Sequence, residues 1–167
     1  MNTYRSCLLA AVSAFAIHSA QAQSPNWSPA TGSTGTILKQ EIRWNSKIPL
    51  DKTYGELTPE QKAELHKMYE LLKPGDEPPF PAEGIKPIFT TIKKAQRVIQ
   101  ARGQIDMKVT VGPDGKAVDV EDRSTIGESQ MTDVAKQVLM QTRYKPAICN
   151  GEPCTMQYRF TQKLKSG

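Results

Sequence analysis

Chemistry in this chain would have to come from very few side chains. Its three cysteines are Cys7, Cys149 and Cys154. The last two bracket Asn150-Gly151-Glu152-Pro153. An Asn-Gly pair favours a tight reversal, which carries the flanking residues back across from each other. A disulfide needs Cα atoms about 4.4–6.8 Å apart, and opposed hairpin positions meet that. A redox pair usually reads Cys-x-x-Cys, and a metal site would need a second ligand cluster that the sequence lacks. The spacing therefore predicts a structural disulfide between Cys149 and Cys154. Its short loop constrains little entropy, so the expected stabilisation is modest.

Nothing else reads as catalytic. Of the two histidines, His18 and His66, the second sits beside Lys67 on the polar side of a helical stripe and reads as a surface residue. Asp119 and Glu121 are two residues apart on one strand face. They alternate with valines and read as solvated, with no sign of the pocket that paired-carboxylate chemistry needs. There is no Gly-x-Ser-x-Gly elbow and no phosphate-cradling glycine loop. The expectation is a non-enzyme without catalytic residues, metal or cofactor.

Charge narrows the partners. Lys and Arg number 22 against 17 Asp and Glu, a formal net charge of +5. Lys93, Lys94, Arg97 and Arg102 form the one basic cluster, without the interleaved aromatics of a nucleic-acid stripe. A solvated helix face is the better reading, and no nucleic-acid partner is expected.

The N-terminus reads as an address. Arg5 supplies a short positive region, residues 7–17 are mostly apolar, and Ala20-Gln21-Ala22 is a small-x-small cleavage pattern. A membrane span needs about 20 apolar residues, and His18, Ser19 and Gln21 interrupt this one. The expectation is a signal peptide over 1–22, cut between Ala22 and Gln23, and a mature chain without a membrane span. An even cysteine pair suits an oxidising compartment.

The elements that would position these residues follow from periodicity. Residues 23–57 read as a flexible or irregular lead-in, with a short strand suggested over 36–44. Thr58-Pro59-Glu60-Gln61 is a capping box with Pro in the first turn. Leu65, Met68, Tyr69 and Leu72 continue it as one apolar stripe until Pro74-Gly75. Residues 76–84, with Pro78, Pro79 and Pro81, read as a linker or an extended wrap. A second helix over 87–102 carries Ile88, Ile92, Ala95 and Ile99 on one face, with Gly103 placed to stop it. The period then drops to two: Ile105, Met107, Val109 and Val111 form one strand. Val118 and Val120 form the next. Gly112-Pro113-Asp114-Gly115 makes the turn between them, with Asp114-Gly115 supplying positive φ angles. Met131, Val134, Ala135, Val138 and Leu139 mark a helix, and Met156, Tyr158 and Phe160 a third long strand.

In that order, residues 102–163 resemble the C-terminal domain of the TonB family. The resemblance lies in Arg102-Gly103-Gln104 opening a strand, Val109 through Lys116 with its Pro-Asp-Gly turn, Gln141-Thr142-Arg143-Tyr144-Lys145-Pro146-Ala147 after a helix, Asn150-Gly151-Glu152-Pro153, and the closing strand through Phe160. It implies an α+β domain over 87–167, an antiparallel three-stranded sheet packed on helices, with residues 58–86 as an N-terminal helical and Pro-rich extension. It also implies a periplasmic setting and a protein partner held by strand addition, either an outer-membrane receptor segment or a second copy. The pairing edge would be Thr155, Met156, Gln157, Tyr158, Arg159, Phe160 and Thr161. Because the N-terminus reads as cleavable, the family's membrane anchor is not expected here; residues 76–84 are far too short for its long spacer, and an aromatic usual before the Arg-Tyr-x-Pro segment is replaced by Thr142. The resemblance thus carries fold, setting and binding mode, and not energy transduction. A structural or self-associating protein with a closed sheet edge is the alternative.

Overall fold

The computed structural model describes residues 47–165. The cleavage site at Ala22 and Gln23 and the strand suggested over 36–44 lie outside those residues, as does most of the lead-in. A 3-10 turn at Tyr54–Glu56 comes first, then α1 (Pro59–His66), β1 (Phe80–Pro81), α2 (Lys86–Ile99), β2 (Gly103–Val111), β3 (Ala117–Asp122) and α3 (Ser129–Gln141). Two short strands follow, β4 (Tyr144–Lys145) and β5 (Ala147–Cys149), then β6 (Glu152–Cys154) and the long β7 (Met156–Leu164). The architecture is α+β with antiparallel sheets. The main sheet runs β3-β2-β7, with two-stranded pairs β1-β4 and β5-β6 beside it.

Alternation decides which face of the main sheet is covered. Ile105, Met107, Val109 and Val111 of β2 are buried, as are Val120 of β3 and Met156, Tyr158, Phe160 and Leu164 of β7. Ile88 and Ile92 of α2 and Met131, Ala135 and Leu139 of α3 join them in one core. Removing each such large side chain from water stabilises the fold by roughly 1.5–3 kcal/mol.

Several elements end where the sequence did not suggest. Thr58 caps α1 through the expected capping box with Gln61, but the helix stops at His66. Tight turns at Met68 and Tyr69, bonded back to Leu65 and His66, release the chain. Met68 and Tyr69 are still buried, from an irregular segment. Helix α2 ends three residues before the expected 102. Gln100 takes the left-handed cap at φ 57°, and Gly103 instead opens β2. There a Cβ would lie 2.2 Å from the Thr125 carbonyl oxygen. In the β2–β3 turn only Gly115 has positive φ, at 73°; Asp114 instead accepts from the Lys116 amide through its side chain. The register slips between Thr110 and Val111, leaving Val118 as an extra residue opposite neither. This bulge puts Ala117 against the core and turns Val118 outward, 53% exposed. The expected alternation of Val118 with Val120 fails there because a bulge shifts the period of two by one.

The segment before residue 87 is an extended wrap. Phe80 and Pro81 pair with Lys145 and Tyr144, and Glu77 exchanges both backbone hydrogen bonds with Ile148. Ile48, Tyr54, Leu57, Leu65, Phe80 and Ile85 all enter the core. The Pro-rich residues are therefore part of the packed body, with Pro78 fully buried.

Candidate functional site

Strand β7 is an outer strand of the main sheet, bonded to β2 in a continuous register from Gly103↔Leu164 to Val111↔Met156. The bonding phase follows from β2. The carbonyls of Gln104 and Asp106 accept from Thr125 and Arg123 on the β3 side. Successive residues point their main-chain groups to opposite sides, so the odd-numbered residues of β2 bond to β7. Their partners are the even-numbered residues of β7. Gln157, Arg159, Thr161 and Lys163 therefore turn their main-chain N–H and C=O groups away from the sheet.

Two of the outward carbonyls in this region are taken by side chains. The Tyr69 hydroxyl donates to the Gln157 oxygen at 2.9 Å. The Gln96 amide donates to the Lys165 oxygen, just past the strand, at 2.8 Å. Burial of Tyr69 pushes its phenol well above the ordinary range, so it remains a donor at any physiological pH. Thr161 and Lys163 have no main-chain partner on this edge among the described residues.

The sheet face opposite the helices is charged and ordered. Arg159 donates from Nε to one carboxylate oxygen of Asp106 at 2.7 Å and from a terminal nitrogen to the other. The hydrogen bonds to Asp106 hold the guanidinium pKa above its ordinary value. Arg159 is only 8% exposed. Beside it, Lys108 reaches Glu121 at 3.9 Å, and Glu121 also meets Arg123 at 3.3 Å. Asp119 is exposed, as Glu121 is.

The loop that leads into β7 is tied down. Cys149 and Cys154 are joined by a disulfide with Cα atoms 5.8 Å apart. They are diagonal neighbours in the hairpin, since Cys149 opposes Glu152 and Cys154 opposes Ala147. Asn150 and Gly151 form the turn with φ of 52° and 87°. Asp76, itself buried, accepts from the Asn150 amide at 2.8 Å and so fastens this turn to the wrap. Of the residues expected to form the edge, Thr155 lies in the link after β6, so β7 itself starts at Met156. Met156, Tyr158 and Phe160 face the core and bond to β2. Only Gln157, Arg159 and Thr161 among the expected seven turn main-chain groups outward, and the edge runs on to Lys163.

His66 is less exposed than its polar neighbours suggested. Its Nε2 lies 3.4 Å from the Tyr54 hydroxyl, and burial lowers its pKa against the opposing pull of Glu77 and Asp76. Among the described residues no group of three His, Cys, Asp or Glu side chains is placed to hold a metal ion. No helix among them is long and apolar enough to cross a membrane. No family model matches the chain, and neither a curated protein nor a solved structure matches it.

Residues that shape the edge were not visible as such in the sequence. Tyr69 is 88 residues from the carbonyl it caps, and Gln96 is 69 residues from its own. In the sequence Tyr69 read only as one member of the apolar stripe that follows Thr58, with no sign of the carbonyl it reaches.

Proposed function

We propose that this chain is an exported, periplasmic protein-binding module built like the C-terminal domain of the TonB family, and that it takes an extended partner segment along the outer edge of β7. The reading is supported by the outward main-chain groups at Thr161 and Lys163, which have no partner on that edge among the described residues. An added strand would satisfy them with hydrogen bonds worth about 0.5–1.5 kcal/mol each, and its alternate side chains would give selection. The order of elements from α2 to β7 supports it too, because it is the order the resemblance implies. The partner would be an outer-membrane receptor segment, which links the module to transport without giving it a force-transmitting role of its own.

One observation favours the alternative of a self-contained or self-associating structural protein. Tyr69 and Gln96 cap carbonyls at both ends of the β7 edge, which shortens the stretch left for a partner. A photo-reactive side chain at Thr161, activated in the cell envelope, separates the two. Capture of a receptor segment is the expected result. Capture of a second copy alone moves the chain to the alternative, and absence of any capture removes edge pairing from both.

A further inference from the structure

A cleft of about 780 Å³ opens between α2 and the end of β7. Its volume lies within the roughly 300–1,000 Å³ of small-molecule sites. Two remote parts of the chain build it. Lys93 and Arg97 come from α2 and Arg102 from the segment after it, while Lys163 and Lys165 come from the C-terminal end. Among the described residues no carboxylate lines the cleft. None of the five cations has an acidic partner among the described residues, whereas Lys67, Lys116, Lys145 and Arg159 do. Cations held together without counter-charge repel one another, and a multiply charged anion relieves that.

Two further features narrow the anion. Phe89 forms an apolar wall, its ring fixed edge-on to Phe160 at 5.2 Å. Gln162 lines the cleft while only 8% exposed, and its Oε1 is sealed without a hydrogen-bond donor among the described residues. An unmade hydrogen bond of that kind is a standing cost to the folded chain. A ligand hydroxyl at the cleft wall can draw this oxygen round and satisfy it, which charge alone cannot do. Gln96 ties the two halves together, donating to the carbonyls of Ala101 and Lys165, so the cleft is braced independently of any occupant. Arginine forks match the oxygens of a phosphate.

We propose that this cleft binds a phosphorylated sugar, either free or as the headgroup of a lipid. The phosphate sits among Lys93, Arg97 and Lys163, a sugar hydroxyl donates to Gln162, and the apolar face of the ring lies on Phe89. The site shares Lys163 with the β7 edge, but it does not require a strand paired there.

Calorimetric titration of the whole chain with glucose 6-phosphate, inorganic phosphate and glucose tests the soluble form. Sedimentation with phosphatidylcholine vesicles containing either phosphatidylinositol 4-phosphate or phosphatidylglycerol tests the lipid form. The expected result is at least tenfold tighter binding of glucose 6-phosphate than of inorganic phosphate or glucose. Preference for phosphatidylinositol 4-phosphate over phosphatidylglycerol vesicles, with weak binding of the free sugar, supports the same site and assigns the lipid source. The pair Arg97→Gln and Lys163→Gln, both at exposed positions, should weaken either interaction at least tenfold. Gln162→Met should bring glucose 6-phosphate down to the level of inorganic phosphate and leave the latter unchanged. Equal binding of inorganic phosphate and glucose 6-phosphate together with equal binding of the two vesicles, or binding indifferent to the Arg97 and Lys163 changes, overturns the proposal. Absence of binding in every arm overturns it as well.

Discussion

At the scale of single residues, the buried polar groups give the sharpest expectations. The Tyr158 hydroxyl is sealed in the core with no partner among the described residues, its ring packed against Phe80 and Tyr144. Removing an unsatisfied group is neutral or stabilising. Tyr158→Phe should therefore leave stability unchanged or raise it by up to about 2 kcal/mol, read by denaturant unfolding; a clear loss would mean that the hydroxyl has a partner. His66 gives the pH dependence. Burial lowers its folded pKa below the unfolded value near 6.5, so the unfolded chain binds the extra proton. Stability must then fall as pH drops below about 6.5 and return as pH rises back through it. His66→Gln should flatten that part of the profile in thermal unfolding between pH 5 and 7.5. An unchanged slope would assign the effect to the carboxylates.

Elements are held by a few contacts that their own sequences do not contain. The β2–β3 turn is one. Gly115 needs its positive φ, and a Cβ there would stand 2.2 Å from the Tyr144 carbonyl oxygen. The Tyr144 amide in turn donates to the Gly115 carbonyl at 2.9 Å, so the turn and β4 are built against each other. Gly115→Ala should cost more than the roughly 1 kcal/mol typical of a glycine replaced at a strained angle, and chemical denaturation would show it. The disulfide hairpin is the second case. Cross-linking a loop this short stabilises by about 2 kcal/mol in the chain-entropy account. Changing Cys149 and Cys154 together to Ser should lower the unfolding free energy by that amount, read as a lower urea midpoint at a nearly constant slope. A larger loss would show that the hairpin also orders β7, through the bond between Asp76 and Asn150.

For the whole molecule the question is where the domain begins. The sequence suggested a unit starting at 87, preceded by a helix and linker. The core instead includes Tyr54, Leu57, Leu65, Met68, Tyr69, Phe80 and Ile85, and β1 supplies half of one small sheet. Burial of that many large side chains, at roughly 1.5–3 kcal/mol each, is as large as the total stability of an ordinary domain. A fragment beginning at Lys86 should accordingly give no single cooperative thermal transition and should bind a hydrophobic dye. A cooperative transition in that fragment would restore 87–167 as an independent unit.

What the sequence determined by itself was periodic or locally bonded. The capping box at Thr58, the stripes of α2 and α3, the alternation of β2 and β7 and the Asn150-Gly151 reversal all depend on neighbours within a few residues, so short-range patterns carried them. The order helix, strand, strand, helix, strand followed from those patterns, while the antiparallel three-stranded sheet was what the resemblance implied, and the structure has such a sheet. Tertiary structure alone decided the rest. The bulge that turns Val118 outward, the early end of α1, the strand pairing of Phe80 and the Tyr69 cap on Gln157 each depend on a partner far along the chain. The same holds for the cationic cleft. Lys93, Arg97 and Arg102 read as a solvated helix face until Lys163 and Lys165 are brought opposite them. Periodicity records which face of an element is apolar; it does not record which distant residue that element will meet.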